Sequence, residues 1–303
     1  MEELTRAPVL RQAENARTKD SAGSANLRLH EFPSMVFRNT RMLRVWLPPG
    51  YDLPENRDRH YPVLFLNDGQ NLFDSATAFN GIAWRVGDAA ERLVREGAIP
   101  PLIVVGMDNA QNDRMKEYLP YRSLNSTILL PQGKHYPVFL VREVMPFVSK
   151  CYRIARGPEN TGLGGSSLGA LISLYTVIMR PGIFGRLLLE SPSLFVSKRR
   201  ILQRSQTLRH WPEKVYLAIG TREDGNEDKD RQVVEDVRTL ERIIRRAKSG
   251  ETCLLVRIDE GATHGETAWA KRFPQALGFL FGNNCEGQAG ERVRTPSSGM
   301  AGD

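Results

Sequence analysis

Short apolar runs recur along the chain and are separated by segments with helical periodicity. The runs are VLFLND (63–68), LIVVGM (102–107), TGLGG (161–165), RLLLE (186–190), KVYLAIG (214–220) and CLLVRID (253–259). Each is too short and too rich in strand-forming residues for a separate helix, so we predict buried strands. Apolar strands that alternate with helices are typical of a parallel sheet covered on both faces.

Two earlier runs predict a different pairing. LRLHEFPSMVF (27–37) and RMLRVWLP (41–48) are separated only by the turn-like residues Arg38, Asn39 and Thr40. A connection this short joins antiparallel neighbours. The pattern as a whole therefore predicts an α/β protein with a mostly parallel central sheet, antiparallel N-terminal strands and helices on both faces.

The helical segments carry apolar stripes that indicate packing against the sheet. In residues 228–250 the stripe comprises Val233, Val237, Leu240, Ile244 and Ala247, and Gly250 follows as a stop signal. A second stripe runs from Leu171 to Ile178 and ends before Pro181. A third segment, 136–150, contains Pro146, which predicts a kink or a break.

The two ends of the chain have a composition unlike its body. Residues 1–26 are polar and small, and residues 284–303 are rich in Gly, Ser and charge, so we predict disordered tails. The chain has 303 residues, of which 41% are hydrophobic and 25% charged, as in an ordinary globular protein with a sizeable core. Residues 27–283 are therefore predicted to form one folded domain.

Charge and cysteine content narrow the function classes. The formal net charge is +7, but the basic residues are scattered and often lie near acids, so we predict a solvated surface and no nucleic-acid partner. The three cysteines have no zinc-ligand spacing, which predicts reduced thiols and no metal site. The N-terminal segment has acids among its first residues and lacks an apolar signal segment, and no run of about 18 apolar residues occurs, so a cytoplasmic protein with no membrane partner is expected.

One serine has the sequence context of a nucleophile. In GLGGSSLGALISLY (162–175) a strand pattern ends and a helix pattern begins, and Ser167 has glycine two positions before it and two after it. The sharp strand-to-helix turn that exposes a nucleophilic serine needs small residues at those positions. Ser166 has Leu168 after it, so we interpret Ser166 as a small neighbour. A helix-capping role is the alternative for Ser167.

A serine hydroxyl needs a base that takes its proton, and one of the five histidines is suitably placed. His264 follows the last predicted strand, in the loop EGATHGE, and precedes the final helix. The order nucleophile, acid, base requires a carboxylate between Ser167 and His264, after the penultimate strand. Glu223 and Asp224 lie closest to that strand end, and the spacing does not separate them.

Stabilising the developing negative charge requires backbone N–H donors. The residue after the nucleophile, Leu168, supplies one. Gly69 and Gln70 follow an early strand in VLFLNDGQNLFD, and the glycine would let the backbone approach a substrate closely.

These motifs together resemble a known family. YPVLFLNDGQNLFD, IVVGMDNAQNDRMKEYLPY, TGLGGSSLGALISLY, FGRLLLESPSLF, VYLAIGTRED and THGETAW resemble, in that order, the putative esterase branch of the α/β-hydrolases, which includes enterochelin esterases and esterase D. The resemblance spans about residues 28–282. It implies an α/β-hydrolase fold with Ser167 as nucleophile, His264 as base and the backbone of Gln70 and Leu168 as oxyanion hole.

The resemblance also bears on the open assignments. The family's acid stands three positions after the glycine that ends its strand, which selects Glu223 over Asp224. Many members have His-Gly where this chain has Asp68-Gly69. Arg114 and Tyr118 lie in an RxxEYxP signature, where an arginine–glutamate pair would hold a loop or either residue would contact substrate.

Two tryptophans are also expected to lie near the site. Trp269 matches the family pattern and is expected to pack under the histidine loop, and Trp84 is a candidate for the pocket wall or for the core.

The sequence thus predicts a serine carboxylic-ester hydrolase that acts on a small-molecule ester through an acyl-enzyme, without cofactor or metal. An acyltransferase on the same scaffold, or a non-catalytic binding protein with a hydrolase fold, are the alternatives. The sequence leaves open the identity of the ester, which includes siderophore lactones, feruloyl esters, acetylated sugars, S-formylglutathione and simple esters. It gives no indication of oligomeric state.

Overall fold

A computed structural model describes residues 26–122, 130–247 and 252–283. Eight strands form one sheet in the order β1-β2-β4-β3-β5-β6-β7-β8. β1 pairs antiparallel with β2, and β2 pairs antiparallel with β4, whereas the other neighbours are parallel. The predicted α/β-hydrolase fold is therefore confirmed. The strands are β1 Leu27–Ser34, β2 Asn39–Trp46, β3 Val63–Asn67, β4 Ile103–Met107, β5 Thr161–Ser166, β6 Arg186–Glu190, β7 Lys214–Arg222 and β8 Cys253–Thr263.

Helices cover both faces of the sheet, because side chains of one strand alternate between the faces. Leu64 and Leu66 of β3 pack in one core with residues of α1 and α8, and Val63 and Phe65 pack in the other core with residues of α3 to α7. The helices are α1 Val86–Arg95, α2 Arg114–Tyr118, α3 Tyr136–Phe139, α4 Met145–Cys151, α5 Leu168–Met179, α6 Val196–Ser205, α7 Glu227–Arg246 and α8 Glu266–Phe281.

The segment with an internal proline stays helical. Leu140–Val144 forms a π-helical turn that joins α3 to α4, and Pro146 lies immediately after it, in the first turn of α4. A proline lacks the N–H of a regular helix and its ring crowds the preceding turn, and the wider π turn relieves both constraints. The predicted kink or break is thus a local widening of a continuous helix.

Several predictions about the ends of the chain lie outside the described residues. These are the tails 1–26, apart from Asn26, and 284–303, together with Cys285. Cys253 is disulfide-bonded and Cys151 is free and exposed, so the prediction of three reduced thiols was wrong. Within the described ranges, no helix is long and apolar enough to cross a membrane.

Candidate active site

Ser167 occupies the turn between β5 and α5 in a strained backbone conformation. Its φ and ψ are 55° and −121°, a region that non-glycine residues rarely adopt. A Cβ on Gly165 would lie 3.0 Å from the backbone of Gly169, and a Cβ on Gly169 would lie 3.0 Å from the Asp68 carboxylate. The two glycines of the motif therefore fit the close packing around the turn, where a larger side chain would push its neighbours apart. Ser166 is buried at the end of β5.

His264 lies between β8 and α8 and faces the serine. Its Nε2 is 2.9 Å from the Oγ of Ser167, which is hydrogen-bond distance. One turn into α8, the indole of Trp269 meets the imidazole edge to face, with 5.0 Å between the ring centroids. Trp269 thus packs against the histidine, and about a third of the His264 side chain is exposed.

Glu223, just after β7, contacts the other imidazole nitrogen. Its Oε2 is hydrogen-bonded to Nδ1 of His264. Its Oε1 accepts hydrogen bonds from the Gly220 N–H at 2.7 Å and from the Ser191 hydroxyl at 2.8 Å. Asp224 instead pairs with Lys229 at 2.9 Å, on the surface. The structure therefore brings Ser167, His264 and Glu223 into one hydrogen-bonded chain, and it leaves Asp224 outside that chain.

The two backbone N–H groups predicted to bind the oxyanion, those of Leu168 and Gln70, lie at helix starts, where amides have no partner in their own helix. Leu168 is the first residue of α5. Gln70 lies in the 3₁₀ turn Gly69–Asn71, whose first hydrogen bonds come from the N–H groups of Asn71 and Leu72. Such amides are suited to binding an oxyanion.

The turn that carries Gln70 is held by hydrogen bonds from residues of α2 and of the segment before it. Asp68 has a left-handed backbone, with φ 58°, and its carboxylate accepts two hydrogen bonds from Arg114, at 2.7 and 2.8 Å. It accepts a third, at 2.6 Å, from the side chain of Asn109. The buried Tyr118 hydroxyl accepts a hydrogen bond from the Asp68 N–H at 3.3 Å. The signature in α2 thus holds this turn.

These contacts differ from the sequence-based expectations for Arg114 and Tyr118. Arg114 holds a loop, which was the favoured expectation, but its carboxylate partner is Asp68 and not a glutamate. Glu117 pairs instead with Arg41 in the interior. Because Tyr118 is only 1% exposed, it offers no surface to a substrate in this structure.

Gly69 and Trp84, the other two candidates for substrate contact, have packing roles. A Cβ on Gly69 would lie 2.6 Å from the backbone of Gly106 in β4, so the glycine permits the turn to touch the neighbouring strand. Trp84 is 4% exposed and packs against the rings of Trp269 and Phe273. Neither residue is among those that line the pocket beside Ser167.

A pocket of about 430 Å³ opens beside Ser167 and His264. Its apolar wall comprises Pro192, Phe195, Ile219 and Val233. The cations on its lining are paired with carboxylates, Arg199 with Asp236 at 2.7 Å and Lys229 with Asp224 at 2.9 Å. The described wall is therefore suited to an apolar or aromatic group.

The contacts that the end of β6 and the segment after it make with Ser167 and α8 were not predicted from the sequence. The Glu190 carbonyl accepts a hydrogen bond from the Ser167 N–H at 2.9 Å, and the Ser193 N–H donates to the Ser167 carbonyl at 3.2 Å. The Glu190 side chain, fully buried, pairs with Arg272 of α8 at 2.8 Å. Burial raises the pKa of Glu190 to about 7, although Arg272 lowers it. The available signal was the polar ESPS at the end of an apolar strand.

Comparison with known proteins gives one family. A family model described as "Putative esterase" matches residues 34–280. The curated relatives include the uncharacterized protein YbbA of Bacillus subtilis (strain 168), which is 24% identical over 250 residues, 80% of this chain and 94% of YbbA. Ferri-bacillibactin esterase BesA of the same organism is 25% identical over 158 residues, 48% of this chain and 52% of BesA.

A solved structure extends the likeness to the fold. The siderophore hydrolase EstB from Aspergillus nidulans matches with a TM-score of 0.65 at 16% identity, over 88% of this chain and 97% of that chain. At this identity the match shows that the two chains share a fold.

Proposed function

The chain belongs to the putative esterase family and hydrolyses carboxylic esters, and we propose that it does so through an acyl-enzyme formed on Ser167. The observation that carries the proposal is the hydrogen-bonded chain from the Ser167 hydroxyl through His264 to Glu223. A nucleophile, a base and an orienting carboxylate in that order are the components of serine acyl transfer.

In the first half of the reaction, Oγ of Ser167 attacks the ester carbonyl carbon while Nε2 of His264 takes the hydroxyl proton. The carbonyl oxygen becomes an oxyanion, which the N–H groups of Gln70 and Leu168 bind. The Glu223 carboxylate stabilises the imidazolium that forms. When the bond to the alcohol breaks, the leaving oxygen takes the proton from His264, and the acyl group stays on Ser167.

In the second half, water replaces the alcohol. His264 takes a proton from the water as its oxygen attacks the acyl-enzyme, and a second oxyanion forms in the same place. Collapse of this intermediate returns the proton to Oγ of Ser167 and releases the carboxylic acid. The proton transfers of the cycle use the contacts of His264 with Ser167 and with Glu223, both of which are hydrogen bonds in the structure.

The wall of the pocket indicates what kind of ester the site would bind. The apolar wall formed by Pro192, Phe195, Ile219 and Val233 favours an ester with an alkyl or aryl group, since burying such a group is favourable. Two of the similar proteins carry the names ferri-bacillibactin esterase and siderophore hydrolase. A substrate panel therefore includes aryl acetates to octanoates, feruloyl esters and a trilactone siderophore, with acetylated sugars and S-formylglutathione as further members.

The proposal is tested by replacing Ser167 and His264 separately with alanine. Both variants are expected to lose roughly 10⁴-fold or more of the kcat for a short-chain aryl ester, with unchanged circular dichroism. Ser166→Ala is the matched control and is expected to keep wild-type activity, because Ser166 is buried at the end of β5 and is not part of the hydrogen-bonded chain from Ser167 to Glu223. Wild-type turnover by folded Ser167→Ala would overturn the assignment.

Two further measurements separate the alternative functions. A fluorophosphonate probe labels the wild-type protein at Ser167 if that hydroxyl is activated, and absence of labelling would indicate a binding protein. Product analysis in the presence of added alcohols or sugars then distinguishes hydrolysis, which yields the free acid, from acyl transfer to the acceptor.

A further inference from the structure

Ser191 is a buried residue in contact with the proposed acid, Glu223, and with helix α8. It follows β6 directly, is 2% exposed and has a positive φ of 41°. Its N–H donates to the Ala218 carbonyl of β7 at 2.7 Å. This strained backbone places the hydroxyl between the end of β7 and α8, where it contacts three side chains, one just after β7 and two in α8.

The three partners of the Ser191 hydroxyl determine the direction of its hydrogen bonds. Nε1 of Trp269 lies 3.0 Å from Oγ, and Nη2 of Arg272 lies 3.3 Å from it. Indole and guanidinium nitrogens only donate, so Oγ accepts from both. The single hydroxyl proton is then directed to the third partner, Oε1 of Glu223, at 2.8 Å.

Arg272 is itself fixed in the interior. Its Nε donates to the Glu190 carboxylate at 2.8 Å, and its Nη1 lies 3.6 Å from Asp259 of β8. The Arg272 and Glu190 side chains are 1% and 0% exposed. Charged groups without access to water need such partners, so the guanidinium has little freedom to turn away from Ser191.

Oε1 of Glu223 thus has two donors, the Ser191 hydroxyl and the Gly220 N–H. Oε2 is left for Nδ1 of His264. A carboxylate that is fixed through one oxygen presents the other in a single orientation, and that orientation selects the imidazole tautomer whose Nε2 accepts the proton of Ser167.

We infer that Ser191 is a positioning residue that orients Glu223 toward His264, with its hydroxyl direction set by Trp269 and Arg272. The inference rests on the proposed role of the Ser167, His264 and Glu223 chain. It predicts that removing the Ser191 hydroxyl lowers kcat only while Glu223 is present.

The test is a double-mutant cycle between positions 191 and 223, measured on an aryl ester. Ser191→Gly is the main variant, because glycine tolerates the positive φ and keeps the fold. We expect kcat to fall about ten-fold in the wild-type background, the effect of losing one hydrogen bond to a charged group, with KM within about two-fold. In the Glu223→Ala background, Ser191→Gly is expected to change kcat by less than about two-fold.

An equal fall in kcat in both backgrounds would overturn the inference, because a general structural effect does not depend on Glu223. A Ser191→Gly variant that fails to fold would overturn it as well, since the residue would then serve stability. Ser205→Ala is the matched control, as it removes another buried hydroxyl, bound to the Ile201 carbonyl of α6 at 2.9 Å. We expect it to leave kcat unchanged.

Failure of the underlying mechanism is recognised separately. If Ser167→Ala retains activity, the proposed function is wrong and the cycle has no meaning for catalysis. If Ser167→Ala is inactive and the cycle is additive, only the role of Ser191 is wrong.

Discussion

The two sides of the site each contain an arginine–carboxylate pair, and the two pairs differ in burial. Behind the acid and base, Arg272 and Glu190 are 1% and 0% exposed. Behind the turn with the Gln70 amide, the side chains of Arg114 and Asp68 are 27% and 7% exposed. The first pair joins β6 to α8 inside the core, whereas the second joins a left-handed turn to a short helix near the surface.

This difference indicates how each half of the chemistry is kept in place. The proposed acid and base follow the ends of β7 and β8, whose positions are set by strand pairing and by the packing of α8. The turn proposed to bind the oxyanion lies outside the strands and depends on the hydrogen bonds of Asp68 with Arg114, Asn109 and Tyr118. Perturbing the first side is therefore expected to affect catalysis and folding, and perturbing the second mainly the catalytic step.

The largest effect is expected on the acid side, from Glu223→Ala. Without the carboxylate, His264 loses its orienting partner, so kcat should fall roughly 10³- to 10⁴-fold while KM changes little. Steady-state kinetics on an aryl ester give both constants. Asp224→Ala is the matched control, since its partner Lys229 is on the surface, and a change within about two-fold is expected. Equal losses in the two variants would contradict the assignment of the acid.

A smaller effect is expected on the free energy of unfolding, which should depend on pH because Glu190 of the buried Arg272–Glu190 pair titrates. The pKa of Glu190 is raised from 4.5 to about 7, chiefly by burial, while Asp259 and Glu223 add to the rise and Arg272 opposes it. The folded state therefore holds this proton more tightly than the unfolded state. The resulting stabilisation is complete below about pH 4.5 and is lost as the pH rises through about 7.

Glu190→Gln cannot titrate, so the free energy of unfolding of the wild type should fall relative to that of the variant between pH 5 and 8. The expected change is on the order of 2 kcal/mol. Urea unfolding at several pH values measures it, and Glu96→Gln, at an exposed ion pair, should give a flat difference. A wild type that gains stability relative to Glu190→Gln as the pH rises would mean that the pair stays ionised.

The smallest effect is a fall in kcat expected from Arg114→Met, which perturbs the turn that carries Gln70. Removing a whole oxyanion donor costs roughly 10²- to 10³-fold, so loosening the turn that carries one should lower kcat about ten-fold with little change in KM. Arg85→Met, at a pair whose arginine side chain is 72% exposed, is the control and should be neutral. A rise in KM with constant kcat would instead indicate that Arg114 contacts the substrate.

The parts of the site that could be predicted from the sequence are those with a distinctive local context, namely small residues next to the end of a predicted strand. Ser167 was identified by flanking glycines at a strand-to-helix boundary, and His264 by a small-residue loop after the last strand. The same reasoning could not separate Glu223 from Asp224, because adjacent residues in a loop point in different directions that only the folded backbone fixes. The family resemblance selected Glu223, and the structure places that residue beside His264.

The contacts that hold the site escaped prediction because they join residues far apart in sequence. Arg272 and Glu190 are 82 positions apart, and Arg114 and Asp68 are 46 apart. A charged residue in a helix pattern predicts a solvated face unless its partner is known. The strands and the three helical segments with predicted bounds, in contrast, follow from local apolar periodicity and were recovered to within a few residues, apart from the end of β8.

Three non-glycine residues around the reacting hydroxyl have positive φ, namely Asp68, Ser167 and Ser191, at 58°, 55° and 41°. Each such conformation costs about 1 to 3 kcal/mol. Design for heat resistance would normally relax positions like these first, and here that would exchange turnover for thermal tolerance. Positive-φ residues distant from the pocket, such as Arg38 at 54°, offer the same gain in melting temperature with activity intact.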